Sequence, residues 1–426
     1  MKVCDKRVDK FQIDISKGIS SKVDVCETQS TRRKVNKVKP KTSNSHHSEL
    51  VSTKEAFHEL KAKWNTLLET SDCLNPFMTW EWMFTWWEIF EDKQHSLFII
   101  TIYKGDRLVS IAPFYIKERF PFIKRLGFIG EGEKRSDSII THYPDIIVRN
   151  EDKEIAVTHI AKLLNNVIKN NKTFNYAKFD LIKNDAVIHD VTKVLTSCDS
   201  QKQFSGNQFK VELPESNDEY LASLSKSVKK QYKRKKKSLE KAGEVEIVTL
   251  DDLSQGLEVV EELHRSRWED ILSENTFDSK PFSTFHAKLS ERLKDQDIME
   301  IRAMKLNGKY IVASYNFSYK KEYFSYLGGF KNCDDFKRHS PMFTFDLLEL
   351  NRLITEGYKS FDLLVSESES SYKKRFGSSE TPCEKITWIT KSPSAYLLKP
   401  AFTIKSLLSA IVEKLKGSWS KALSDS

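Results

Sequence analysis

The amino-acid sequence predicts an α/β (α+β) protein made of two related domains with mixed sheets. Its 426 residues exceed the usual size of a single hydrophobic core, which favours two domains. Strand-like and helix-like patterns alternate along the chain. One order of elements also occurs twice: strand, turn, strand, then a helix, then a strand containing Phe-Asp-Leu. Such repetition indicates two copies of one fold, although apolar hairpins are common enough for a chance match.

Residues 1–48 form a basic leader. They contain 12 Lys or Arg and 5 Asp or Glu, and therefore hold +7 of the chain's net charge of +9. Large apolar residues are sparse, so the segment cannot bury enough surface to offset the entropy of ordering, and we expect disorder. A leader of this kind can act as a solubilising segment or contact nucleic acid or an anionic membrane.

Five elements are predicted in the first domain, residues 49–210. In chain order they are a helix at 52–70 opened by a capping box of Ser52 and Glu55, a tryptophan-rich helix at 77–90, a hairpin of 97–103 and 108–117 around Gly105, a helix at 152–168, and a strand containing Phe179-Asp180-Leu181-Ile182. In the second helix Met83, Trp86, Trp87 and Phe90 share one face. An aromatic stripe at helical spacing predicts core packing, while stacking on a sugar or lining an acyl groove is the alternative.

The middle of the chain carries its strongest charge pattern. Residues 193–208 are polar and predict a connection, and 211–214 predict an edge strand. Residues 225–241 then place nine Lys or Arg against a single acid, Glu240, with only a narrow apolar seam. This pattern predicts a helix with one docked edge and a broad cationic surface, which either binds phosphates of a substrate or is simply solvated.

The second domain, residues 211–395, contains the clearest local signals. They predict a strand at 245–250, a helix at 253–272 that carries His264, Arg267 and Trp268, a hairpin of 299–306 and 310–319 across Asn307-Gly308, a strand at 322–330, a helix from Ser340-Pro341 to Gly357, and a strand at 359–365. Asn-Gly favours the positive φ angles of a tight hairpin. A lone helical histidine is usually structural, so a ligand contact for His264 is the lesser alternative.

Residues 396–426 predict a cationic amphipathic helix, which packs on the protein itself or lies on a membrane surface. The chain has no uncharged run long enough to cross a bilayer and no apolar signal core, so we expect a cytoplasmic protein with possible peripheral membrane contact. Six cysteines are scattered without paired spacing, which argues against a disulfide framework or a zinc site.

The order of motifs from about Tyr220 to Trp388 resembles that of acetyltransferases associated with polysaccharide (cellulose) biosynthesis. These belong to the GCN5-related N-acetyltransferase (GNAT) superfamily and are similar to Fem-type peptidyl transferases, which contain two such units. The matching pieces are His264 with Arg267-Trp268, Asn307-Gly308, Ser340-Pro341, Phe361-Asp362, and Tyr372-Lys373 with Gly377. The chain departs from the pattern at Met342 and in Ser-Glu-Ser-Glu-Ser-Ser before Tyr372, where glycines are expected.

The resemblance implies how a donor would bind. Backbone amides of a splayed strand at 322–330, which includes Tyr326, would hold the carbonyl of acetyl-CoA or another acyl-CoA. The donor diphosphate would lie at the start of the helix at Ser340, near Arg338, because a helix N-terminus attracts anions. No metal is implied.

The resemblance and the residue types together give the remaining site candidates. Asp362 and Glu369 are the first candidates for the general base, with Tyr372 as a further catalytic residue. The candidate substrate-binding residues are Lys229, Lys233, Arg234, Arg267, Trp268 and Lys373.

The function predicted from these features is acyl transfer from acyl-CoA to a sugar or a cell-envelope or polysaccharide precursor. The sequence carries no metal-ligand cluster, nucleophile elbow or glycine-rich phosphate loop, which fits direct transfer without a covalent intermediate. Two alternatives stay open: a Fem-like transferase that uses aminoacyl-tRNA, and a non-catalytic nucleic-acid-binding protein that uses the basic helix. For a transferase, no nucleic-acid partner other than tRNA is expected.

Overall fold

The computed structural model describes residues 45–120, 123–170, 174–269, 275–366 and 372–392, together with Ala395. The predicted C-terminal helix, the candidate base Glu369 and residues 1–44 of the leader lie outside these ranges. The last residues assigned to the leader, from His46, belong instead to a strand paired in the sheet.

Thirteen strands of the described chain join in one sheet. They are β1 His46–Val51, β2 His95–Lys104, β3 Arg107–Phe120, β4 Ile123–Phe128, β5 Ile147–Val148, β6 Tyr176–Lys183, β7 Cys198–Glu212, β8 Val245–Thr249, β9 Met299–Leu306, β10 Lys309–Tyr319, β11 Glu322–Phe330, β12 Ser360–Ser366 and β13 Ser379–Thr390.

Helices cover the faces of this sheet. Those within the described ranges are α1 Lys54–Glu59, α2 Lys61–Thr70, α3 Trp80–Phe90, α4 Lys153–Lys169, α5 Val187–Val194, α6 Asn217–Ser223, α7 Lys226–Ala242, α8 Leu253–Trp268, α9 Lys280–Leu293, α10 Asp334–Lys337 and α11 Pro341–Thr355.

The strand order confirms the predicted duplication. The sheet runs β1-β2-β3-β4-β6-β13 from one edge and β8-β9-β10-β11-β12-β7 from the other, with β13 and β7 paired in the middle. In each series the first three neighbouring pairs are antiparallel, the fourth is parallel and the fifth is antiparallel. The two halves also exchange their last strands. Strand β7 follows β6 in sequence but pairs with β12 of the second half. Strand β13 follows β12 in sequence but pairs with β6 of the first half.

The prediction of a connection at 193–208 and an edge strand at 211–214 was wrong. These residues contribute most of β7, a central strand that pairs with both β12 and β13. The pattern was misleading because residues 199–204 are exposed, so they read as polar loop although their backbone is paired. The expected domain boundary at 210/211 therefore falls inside a strand.

Both predicted hairpins are confirmed. Asn307 and Gly308 have φ of 52° and 74°, as a tight turn between antiparallel strands requires. Each hairpin also has a bulge, at Val109 in β3 and at Ile311 in β10. Gly105 and Asn307 are the first residues of their two-residue turns, so Gly105 is equivalent to Asn307 in the second hairpin.

One predicted helix needs correction, and the start of another differs in its capping. The helix at 52–70 is broken at Leu60 into α1 and α2, and its capping residue is Thr53, whose hydroxyl accepts from the Ala56 N–H at 3.2 Å, so the Ser52 capping box is wrong. Helix α11 begins where predicted. However, Ser340 has left-handed backbone angles (φ 48°, ψ 60°) and its side chain makes no capping hydrogen bond.

The tryptophan stripe is core, as predicted. Trp80, Trp82, Trp86 and Trp87 are all at most 4% exposed. Trp82 packs edge-on against Phe285 and Phe317 of the second half. The two halves therefore share a hydrophobic core as well as a sheet.

Candidate functional site

The opening between β11 and β12 is the feature that organises the site. These parallel strands pair only between Glu322–Phe324 and Ser360–Asp362, although β11 continues to Phe330 and β12 to Ser366. Beyond the paired residues the two strands part, which is the splay that the family resemblance implies. Backbone N–H groups along such an opening can polarise a bound carbonyl.

Helix α8 presses directly on one wall of the opening. A Cβ at Gly329 would lie 2.1 Å from the His264 backbone nitrogen, so glycine is required for this contact. At Gly328 a Cβ would lie 3.1 Å from the Met342 methyl carbon. Met342, at the position where the resemblance implies a glycine, thus places its methyl group beside β11.

The Arg267 side chain contacts Gly328 of β11, the Trp268 ring and Tyr372. Its Nη1 donates to the Gly328 carbonyl at 3.2 Å, and its guanidinium lies 4.9 Å from the centre of the Trp268 ring. Its side chain also hydrogen-bonds to Tyr372. Asp346 of α11 is 5% exposed, and burial raises the pKa of its carboxyl to about 7 against the opposing effect of Arg267. The structure thus brings Arg267, Trp268 and Tyr372 together and places Asp346 beside them.

Lys373 binds the backbone of β12, which forms the other wall of the opening. Its ammonium donates to the carbonyls of Leu363, Leu364 and Val365 at 2.5, 3.1 and 3.2 Å. Burial lowers the pKa of Lys373 to about 8, with Asp362 raising it and Arg267 lowering it. Lys373 therefore lies within electrostatic reach of both Asp362 and Arg267, and it fixes the backbone of β12 where that strand leaves β11.

Asp362 stands at the point where the strands part. It is 1% exposed, and its Oδ1 accepts from the Tyr143 hydroxyl at 3.1 Å and the Leu364 N–H at 2.7 Å. Its Oδ2 accepts from Gln208 Nε2 at 2.5 Å. Burial raises the pKa of Asp362, because desolvation disfavours the charged carboxylate. Such a carboxylate is suited to accept a proton.

A cavity of about 350 Å³ lies beside Asp362. Both halves line it, and its polar lining includes Asn75, Tyr143, Lys183, Gln208, Lys210 and Glu322. Lys210 forms an ion pair with Glu322 at 2.9 Å on the lining. A small substrate in this cavity would have the Asp362 carboxylate within reach.

The structure places the predicted donor-binding residues Tyr326 and Arg338, and the helical His264, in different surroundings. The Tyr326 side chain is in the aromatic core, against Trp82 and Phe317, and its hydroxyl donates to the Ile139 carbonyl. Arg338 is exposed and precedes Ser340 at the start of α11. His264 is buried and contacts Asn275 (Nδ1 to Oδ1, 3.2 Å), which favours the structural interpretation.

Helix α7 runs beside the start of α11. Lys235 donates to the Arg338 carbonyl, and Ser238 Oγ lies 2.8 Å from His339 Nδ1. Lys233 and Arg234 are exposed, whereas Lys229 donates to the Ala222 carbonyl at 3.1 Å. Within the described ranges, no ion pair involves any of the nine basic side chains of α7. Among the described residues, this cationic surface therefore has no carboxylate partner, and it lies near the expected diphosphate position.

The equivalent opening in the first half is filled. Strands β4 and β6 pair only at Arg125–Leu126 with Tyr176–Ala177 and then part. Glu131 bridges them, accepting from the Asp180 N–H at 3.3 Å, and burial raises the pKa of its carboxyl to about 8. Since the Glu131 side chain already binds a backbone N–H of this opening, the second half is the better candidate for chemistry.

Sequence reasoning missed Tyr143, Gln208 and Asp346. Tyr143 lies in an irregular segment, and Gln208 lies in the strand mistaken for a connection. Asp346 did leave a signal, because it is an acid that lies beside the apolar Phe343 and Leu347 on a helix with a largely apolar pattern, and a buried carboxyl group requires a partner.

Comparison with known proteins agrees with this architecture. Residues 226–374 match the family model of the acetyltransferase (GNAT) domain. The crystal structure of FemX superposes with a TM-score of 0.58 at 11% identity, covering 83% of this chain and 99% of that chain. The fold is tandem GNAT-like. No curated protein matches the sequence significantly.

Two further structures give lower scores. The C-terminal domain of a putative lysylphosphatidylglycerol synthetase from Agrobacterium fabrum has a TM-score of 0.47 at 10% identity, covering 82% of this chain and 97% of that chain. A tandem GNAT protein from the clavulanic acid biosynthesis pathway has a TM-score of 0.41 at 10% identity, covering 80% and 98%. At these identities the likeness of all three structures concerns the fold, and the association with cellulose biosynthesis stays a prediction.

Two classes of feature were not found in the described part of the chain. None of its helices is long and apolar enough to span a bilayer, and none of its His, Cys, Asp and Glu side chains group as metal ligands. The four cysteines in these ranges, Cys73, Cys198, Cys333 and Cys383, are free.

The raised pKa of Asp346 predicts a pH-dependent cost to stability. The unfolded chain loses this proton near pH 4 and the folded protein near pH 7, so stability falls as pH rises between these values. Because asparagine mimics the protonated acid, Asp346→Asn should match the wild type at pH 4. At pH 8 it should be more stable by up to about 4 kcal/mol.

Urea denaturation at both pH values measures this difference. Asp335→Asn, on the exposed surface of α10, is the control and should behave as the wild type. An equal difference between Asp346→Asn and wild type at pH 4 and pH 8 would contradict the assignment.

Proposed function

We propose that the protein is an acyltransferase in which the opening between β11 and β12 receives an acyl donor and the adjoining cavity receives an acceptor amine or hydroxyl. The observation that carries this proposal is the position of Asp362. Its buried carboxylate lies both where the strands part and on the wall of the cavity. A base in that position can reach an acceptor while backbone amides hold the donor carbonyl.

The chemistry requires few groups. The acceptor nitrogen or oxygen attacks the donor carbonyl and gives its proton to Asp362, while the bond from the carbonyl carbon to the donor sulfur breaks. Tyr372, hydrogen-bonded to Arg267, is the candidate to protonate the departing thiolate. Glu369 stays a second proposed base.

For the donor we propose acetyl-CoA or another acyl-CoA. The match to an acetyltransferase domain over 226–374 supports it, as does the start of α11, where Ser340 and Arg338 would face the diphosphate. For the acceptor we propose a sugar or a cell-envelope or polysaccharide precursor, with possible peripheral contact between the protein and an anionic membrane.

A donor carried by tRNA is the second candidate. Two observations favour it. The Met342 methyl group lies beside Gly328, where the glycine implied by the resemblance would leave more room for CoA. The cations of α7, which have no ion-pair partner among the described residues, lie next to the start of α11. A polyanionic donor would gain from that surface more than CoA does.

Replacing the proposed base tests the mechanism. Asp362→Asn keeps the side-chain shape and removes the carboxylate, so single-turnover transfer from a saturating donor should slow by about 10²–10⁴. Donors would first be found by thermal-shift screening of acyl-CoAs and aminoacyl-tRNA, since binding raises the unfolding temperature.

The matched control is Asp180→Asn, which changes the Phe-Asp-Leu strand of the first half, where the opening is filled. It should retain the wild-type rate. A near wild-type rate in Asp362→Asn would exclude Asp362 and favour Glu369, and failure of all acyl-CoAs to bind would favour the tRNA-linked donor.

Helix α7 gives a separate prediction. Reversing charge at Lys229, Lys233 and Arg234 should raise the KM of an anionic substrate at least about tenfold without changing the circular dichroism spectrum, because steering and binding lose their attraction. The same reversal at exposed Lys162 and Lys169 of α4 should have little effect. Unchanged kinetics in the α7 variant would leave only a solvated helix face.

A further inference from the structure

The first half of the chain lies outside the GNAT family match, yet one of its segments reaches the proposed site. Residues 139–143 run irregularly between β4 and β5. Two of them, Ile140 and Tyr143, have φ of 51° and 56°. This conformation is rare for residues with a Cβ, and rarest for a β-branched residue such as isoleucine. Backbone strain of this kind persists only where surrounding contacts impose it.

Hydrogen bonds from several side chains hold residues 139–143 in this conformation. The Asn75 side chain donates to the carbonyls of His142 and Tyr143 at 2.9 and 2.8 Å. Trp82 Nε1 donates to Thr141 Oγ1 at 2.9 Å, and from the second half the Tyr326 hydroxyl donates to the Ile139 carbonyl. The segment is therefore fixed by buried hydrogen bonds from both halves.

The fixed conformation of residues 139–143 brings the Tyr143 hydroxyl into contact with the Asp362 carboxylate. The Tyr143 hydroxyl is 3.1 Å from Asp362 Oδ1, and both residues are at most 5% exposed. Gln208 binds the other carboxylate oxygen at 2.5 Å. Each oxygen thus has a side-chain donor of its own, so the plane of the carboxylate cannot rotate without breaking a buried hydrogen bond.

We propose that Tyr143 is a positioning residue, whose hydroxyl holds the Asp362 carboxylate in a fixed orientation toward the cavity. In this account the first half completes a site whose reacting groups lie in the second half. The catalytic consequence rests on the proposed function, whereas the hydrogen bond itself does not.

Removing the hydroxyl has a defined electrostatic effect. The titratable groups that face Asp362 are Tyr143, Lys183 of β6, Lys373 and Cys383 of β13, while Lys210 and Glu322 line the same cavity. A hydrogen bond to the carboxylate favours its charged form, so loss of the Tyr143 hydroxyl raises the pKa of Asp362. Because a general base acts when ionised, the acidic limb of the rate profile should move to higher pH.

The test variant is Tyr143→Phe, with Tyr319→Phe as the matched control. Tyr319 is also buried, and its hydroxyl donates to Glu69 Oε2 at the same distance of 3.1 Å, also between the two halves. The control removes an equivalent cross-half hydrogen bond without touching Asp362. Carbon-13 NMR of aspartate-labelled protein, with Asp362→Asn to assign the signal, follows the titration of Asp362 without any substrate.

Tyr143→Phe should raise the pH at which Asp362 titrates, move the acidic limb of kcat in the same direction, and lower kcat by about 10- to 100-fold with little change in donor KM. Tyr319→Phe should leave all three quantities unchanged. An unmoved Asp362 titration in Tyr143→Phe, or an equal effect of Tyr319→Phe, would overturn the inference. If the titration moves but wild-type protein transfers no acyl group from any donor, the positioning contact stands and the proposed function fails.

Discussion

The antiparallel pairing of β7 with β13 is the interaction on which the rest of the structure depends. It runs from Ser379 opposite Lys210 to Thr390 opposite Cys198, through the middle of the sheet. Because each of these strands belongs to one half in sequence and to the other in space, neither half can complete its sheet alone. The relative position of the halves is set by backbone hydrogen bonds and also by the aromatic core around Trp82.

This exchange of strands also builds the proposed site. Strand β7 carries Gln208 to Asp362 and Lys210 to the cavity, and both residues come from the end of the first half in sequence. The segment ending at Tyr143 approaches the same carboxylate from another side. A site assembled this way depends on the joint stability of both halves, so a substitution far away in β13 could alter it by shifting β7.

The two halves share one strand order but carry different side chains at their openings. Both contain a pair of parallel strands that part after two or three residues, but Glu131 spans the opening in the first half. In the second half the corresponding walls carry Arg267, Lys373 and Asp362. The same strand order thus gives two openings that differ in their side chains.

Local sequence signals predicted the local parts of this structure well. Asn307-Gly308 specified its hairpin, Pro341 and Gly357 bounded α11, and the basic run specified α7, since each depends on neighbouring residues alone. The central role of β7 could not be predicted, because its exposed polar residues conceal a pairing with strands distant in sequence. Asp362 was a candidate because of its motif, and its role as a base stays a prediction. Its contact with Tyr143 arises from tertiary packing that the sequence pattern does not contain.

The central claim, that the opening between β11 and β12 receives the donor beside a cavity lined by both halves, is tested most directly by a crystal structure with a non-transferable acyl-CoA analogue. The account predicts the acyl carbonyl between residues 325–330 of β11 and 363–366 of β12, on the side where Asp362 lines the cavity. An analogue bound with its carbonyl in the opening between β4 and β6, or bound through its phosphates to α7 with the acyl group away from Asp362, would contradict it.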